Sequence, residues 1–261
     1  MTAGRHSRVS NDGMARSRNR TNFLDPSATG ARPEDVRAFA TVGANVNAIA
    51  IARATAIVYA IAIEPEAAQS YLESALAISR EHGFLQRIAQ LRLMRGWALA
   101  SQTDDGGALT ELSEGLAGYR ATGARAWQTN FLALLAIGYL RAGRYPEGLS
   151  TIAEARDLVT LQDEYWWEPE LHRLEGDLLL ASGGSPALVE ECYRDALGSA
   201  HQHEAKSWEL RAAASLARLW HDQGRRGEAR DLLAPVYVWF TEGFDTPDLK
   251  QTKSLLAALD A

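Results

Sequence analysis

An all-α solenoid of about five stacked helix pairs, closed by a C-terminal capping helix, is the fold class this sequence predicts, and three observations predict it. The first lies in residues 164–180, where Leu171, Leu174, Leu178 and Leu179 recur at i, i+3, i+7 and i+8 and so share one face of a helix. Pro169 suits the first turn of that helix, where a missing N–H matters least. Gly176 interrupts the pattern at a cost of roughly 1 kcal/mol relative to Ala, and the expected reason is close approach of a neighbouring helix.

The second observation is a fixed period. Small residues recur as Ala56, Gly96, Ala136, Gly176 and Ala217, at steps of 40, 40, 40 and 41. A second small series runs Ala75, Gly115, Ala155 and Ala196, with the larger Val236 as its fifth member. Leu72, Leu112, Ile152, Tyr193 and Leu233 hold one place between them. The third observation is turn chemistry. Gly143, Gly183 and Gly224 each follow a helix where a left-handed residue closes it, and Ser185 with Pro186 reads as N-cap and first helical residue. The second unit is looser, with its pair Gly106 and Gly107 later, and the first has Glu64 and Pro65 but no Gly.

Length and composition agree. A chain of 261 residues could be one or two domains by length alone, but a period near 40 favours one elongated array whose units contact mainly their neighbours. Residues 1–33 carry six Arg against Asp12 and Asp25, about +4, which leaves about −10 for the remainder of a chain of net −6. An acidic array is a poor phosphate-binding surface, so no nucleic acid is expected on the repeat domain. The three lysines, Lys206, Lys250 and Lys253, do not follow glycines, which excludes a Gly-Lys-Ser/Thr phosphate loop. Cys192 is the sole cysteine, so no intrachain disulfide forms and a reducing cytoplasm fits.

In chain order, residues 1–33 are polar, Arg-rich and without apolar periodicity, which predicts a disordered basic tail; no apolar core follows to make a secretory signal. The repeat domain is expected over 34–261. Residues 44–63 read as a buried first helix; Arg53, Asn45 and Asn47 argue against a membrane segment, and a poorly folded end of the array is the other reading. Residues 65–82 complete unit one. Unit two is expected at 84–101 and 104–120, unit three at 125–142 and 146–161, unit four at 165–181 and 186–202, unit five at 206–223 and 227–240. A cap at 248–259, with Leu249, Leu255, Leu256 and Leu259, covers the last apolar face.

Leu135, Ala136, Tyr139, Gly143, Tyr145, Gly148, Ile152 and Ala155 form a small–large–small pattern that resembles a tetratricopeptide repeat, with a unit longer than the usual one. The resemblance implies a right-handed α-solenoid. The run Trp166–Leu180, WWEPELHRLEGDLLL, is similar to the C-terminal repeat region of large bacterial signalling proteins, as are residues 215–237 and 241–249. In those proteins a class III adenylate cyclase or a DNA-binding domain is joined to an AAA/STAND-type ATPase and then to such repeats. The resemblance covers residues 65–260; the catalytic parts lie outside it, so it implies a regulatory or interaction portion that is not an enzyme.

No residue cluster reads as chemistry. His201 and His203 stand at i, i+2 and face different sides of a helix, so no metal is expected. His172 lies one turn from Glu168 and Glu175, which predicts surface charge pairing. Cys192 reads as an inert, buried small side chain, and no Ser/His/Asp set or cofactor signature can be singled out. The candidate surface is a concave groove lined by the first helix of each unit, and the resemblance places in it Gln90 and Trp97, Asn130 and Arg141, Glu170, Arg173 and Asp177, and Arg211, Arg218, His221 and Asp222. Such side chains can hydrogen-bond a protein or peptide partner. The leading expectation is therefore a non-enzymatic interaction module in bacterial signalling. A small-molecule sensor would instead show a closed aromatic pocket around Trp97, Trp127 or Trp166, and a remnant of a larger regulator is the third reading.

Overall fold

The computed structural model describes residues 65–102 and 106–260. The expectations for the tail, for 44–63 and for Ala56 lie outside the described residues. Among the described residues ten α-helices follow one another: α1 (Pro65–Glu81), α2 (Leu85–Gln102), α3 (Gly106–Ala121), α4 (Gln128–Arg141), α5 (Tyr145–Gln162), α6 (Glu168–Ala181), α7 (Pro186–Gln202), α8 (Lys206–Asp222), α9 (Arg226–Val238) and α10 (Pro247–Leu259). The fold is an all-α helical-repeat solenoid. α2 packs on α3, α4 on α5, α6 on α7 and α8 on α9, while the first helices α2, α4, α6 and α8 also touch in succession and α10 closes on α8 and α9.

The repeated registers are the core. Leu72, Leu112, Ile152, Tyr193 and Leu233 are all buried, as are Ala136, Ala155, Ala196 and Ala217. The glycines show why small residues are needed. A Cβ built on Gly96 would lie 2.8 Å from Leu112 Cγ, and one on Gly115 would lie 2.9 Å from Leu93 Cγ, so α2 and α3 each supply the leucine that fills the other's gap. At Gly176 the occupant is the Tyr193 ring of α7.

Turns close the helices by repeated backbone bonds. After α6, Gly183 takes φ +77° and the Gly184 N–H reaches back 2.8 Å to the Leu179 carbonyl, with Gly143 and Gly224 at the equivalent places. The second helices close on the same period: the left-handed residue is Gly83 (φ 68°), Gly123 (φ 74°), Asp163 (φ 55°) and Glu204 (φ 52°), at steps of 40, 40 and 41. Ser185 is the N-cap by position, its carbonyl accepting the Val189 N–H at 3.1 Å, but its hydroxyl makes no capping bond; Pro186, lacking an N–H, leaves one fewer donor to satisfy.

Two helix starts differ from expectation, each for a local reason. Residues 165–167 form a 3₁₀ turn, and α6 begins only at Glu168; the ring of Pro169 would clash with the carbonyl four residues back in a continuous α-helix. α4 starts at Gln128 rather than 125, because Trp127 sits at φ 70° with its backbone N–H donated to Glu164 Oε1 at 2.8 Å. α9 ends at Val238, one turn after Pro235, whose missing N–H breaks the ladder.

Candidate interaction groove

The first helices and the cap turn one stripe each toward a shared cavity of about 390 Å³. α2 supplies Trp97; α4 supplies Ile137, Leu140 and Arg141; α6 supplies Glu170, Arg173, Leu174 and Asp177. α8 adds Leu210, Arg211, Ala214, Ser215 and Arg218, and α10 adds Asp248, Gln251 and Thr252. Within each helix these residues stand three or four apart, so each set shares a face. Across helices Trp97, Ile137, Asp177 and Arg218 each follow the small marker by one residue, so the period that builds the core also aligns the cavity wall.

A buried carboxylate organises the charges. Glu170 is 2% exposed, and Arg173 grips it through two bonds, Nε to Oε2 at 2.7 Å and Nη2 to Oε1 at 2.8 Å. Arg173 also donates to Asp177 Oδ2, whose other oxygen accepts the Tyr193 hydroxyl at 2.7 Å. Arg211 reaches Glu170 at 3.4 Å and Asp248 at 2.7 Å, and stacks over Trp208 at 5.2 Å. Burial pushes the Glu170 carboxyl up, but the charges and hydrogen bonds of Arg173 and Arg211 outweigh it and hold the group below its ordinary value. The cap helix is thereby tied into the wall through one ion pair.

Seven of the eleven expected groove residues line this cavity: Trp97, Arg141, Glu170, Arg173, Asp177, Arg211 and Arg218. Gln90 and Asn130 do not; they are 2% and 7% exposed and lie between packed helices, with Gln90 Oε1 accepting from Arg87 at 2.9 Å. Both stand six residues before the small marker, like Glu170 and Arg211, a register that faces the neighbouring first helix. His221 and Asp222 lie at the end of α8, away from the cavity, 3.1 Å from one another. Reading the cap as an apolar cover missed Asp248, Gln251 and Thr252; their own spacing of three and four, offset from Leu249, was the available signal.

Elsewhere the polar expectations shift. His172 does not pair with its one-turn neighbours: Glu175 binds Arg156 at 2.7 Å across helices, and Glu168 accepts from Ser199 at 2.7 Å. Burial, then Arg156, holds the His172 imidazole below its ordinary value. Cys192 is half-buried, and burial pushes its thiol up to about 11. Trp127, Trp166, Trp167 and Trp208 contact one another in sequence at 5.1, 5.3 and 4.9 Å, from the turn before α4 to the first turn of α8, and none of them lines the cavity. Among the described residues no group of His, Cys, Asp and Glu could hold a metal ion, and no helix is long and apolar enough to cross a membrane.

The geometry defines a helical-repeat protein with a charged inner groove. No protein-family model and no curated protein matches the chain. Among solved structures it is similar in fold to the apo form of RapI, at 14% identity over 89% of this chain and 77% of that chain, with a TM-score of 0.64.

Proposed function

We propose that this chain is a non-enzymatic module that binds a protein or peptide along the face made by α2, α4, α6 and α8. The observation that carries the reading is the cavity wall itself. Side chains from four successive first helices and the cap converge on one open surface, charged and hydrogen-bonding, with apolar patches between the charges. Of the tryptophans expected around a small-molecule pocket, Trp97 lies in the wall while Trp127 and Trp166 pack on one another at the turns, which favours a partner surface over a closed aromatic site. Rigid helices hold the side chains in place before binding, so little ordering cost opposes association.

In this reading residues 34–261 form one interaction domain behind a basic tail, acting in the cytoplasm as a regulatory part of a bacterial signalling system, as the resemblance to ATPase- and cyclase-linked repeats suggests. The test is chemical crosslinking and capture from a lysate of the source organism, with the full chain and with Arg141→Glu/Arg218→Glu, two exposed groove positions. A partner captured by the parent chain and lost with the double variant supports the reading. Equal capture by both, or by neither, contradicts it.

A further inference from the structure

Four arginines and three carboxylates line the cavity, which leaves one net positive charge in a chain of net −6. The imbalance is localised. Arg173 is engaged by Glu170 and Asp177, and Arg211 by Glu170 and Asp248. Arg141 on α4 and Arg218 on α8 are exposed, and neither guanidinium has an ion-pair partner among the described residues. Thr252 on α10 completes the wall and is 1% exposed. Between these polar groups the wall is apolar, with Ile137, Leu140 and Leu210.

Resting on the peptide-binding reading, we propose that this cavity receives one acidic side chain, Asp or Glu, flanked by apolar residues in an extended segment of the partner. A single carboxylate brings the wall to neutrality, whereas a phosphate dianion reverses its sign. Guanidinium groups match a carboxylate through paired N–H bonds. The wall continues on both sides of the arginines, from Trp97 on α2 to Thr252 on α10, so the acidic residue lies inside the segment with side chains before and after it.

The test uses the full chain and pools of N-acetylated, C-amidated nonapeptides, degenerate except at the fifth residue, which is Asp, Glu, Asn, Gln or phosphoserine. The Asp and Glu pools bind about tenfold better than the Asn and Gln pools, as expected for a hydrogen bond to a charged group, with apolar residues selected beside them. Arg141→Gln/Arg218→Gln loses that preference, while Arg226→Gln on α9 changes nothing. If the amide pools bind as well as the acidic ones, or the phosphoserine pool alone is retained, the acidic segment is excluded and the peptide-binding reading stands. If no pool binds, both fall together.

Discussion

The Tyr193 ring occupies the space that Gly176 leaves open, so that a Cβ added at the glycine would meet Tyr193 Cε1 at 2.5 Å. Gly176→Ala therefore lowers stability by about 1–3 kcal/mol through overpacking, against a helix-propensity gain of about 1 kcal/mol. Gly198 on α7, with nothing within 4 Å of an added Cβ, is the control. Gly198→Ala raises stability by about 0.5–1 kcal/mol. Urea midpoints of both variants check the pair, and a shared gain would refute the packing role of Gly176.

Glu170 holds two arginines, and its removal leaves Arg173 with Asp177 alone and Arg211 with Asp248 alone, both facing the vacated site. Glu170→Ala costs about 3–5 kcal/mol, the range for breaking one side of a buried ion pair. Its folded pKa lies below the ordinary 4.5. The stability it contributes is present above the unfolded value and is lost as pH falls through the folded one. Glu170→Gln consequently shows a shallower loss of stability below pH 4.5 than the parent, measured by urea unfolding across pH.

His172 behaves in the opposite chemical sense. Burial keeps it neutral in the folded chain, so below its ordinary 6.5 the unfolded chain binds a proton that the folded one refuses. Stability falls as pH drops from about 6.5 toward the lowered folded value. His172→Gln flattens that slope, and an unchanged slope between pH 5 and 7 would show that the imidazole is solvated.

Cys192, its thiol raised to about 11 by burial, is a poor nucleophile despite being half-buried. Alkylation by iodoacetamide at neutral pH runs about a hundredfold slower in the native chain than in urea, because the thiolate is what reacts. Equal rates in both conditions would exclude the buried thiol.

Much of this architecture was legible from the period alone. The steps of 40 and 41 residues place Gly96, Ala136, Gly176 and Ala217 at helix contacts because only a small side chain fits there, a demand the sequence repeats openly. The starts of α4 and α6 were less legible. The positive φ of Trp127 comes with a hydrogen bond from its backbone N–H to the Glu164 carboxylate, 37 residues away, and local propensity contains no such term. The groove divides in the same way. Positions next to the small marker, such as Asp177 and Arg218, follow from helix geometry, whereas Gln90 and Asn130 share the register of Arg211 and are nonetheless packed between helices. The contribution of α10 rests on Asp248 meeting Arg211, a contact between units that no periodicity encodes.

The central claim is that the face made by the first helices and the cap receives the partner. Photo-crosslinking from benzoylphenylalanine tests it most directly, placed at Gln251 on the cavity wall or at Arg226 on α9, both exposed. The account predicts a covalent adduct with the captured partner from position 251 and none from 226. An adduct from 226 alone would contradict it and move the binding surface to the second helices.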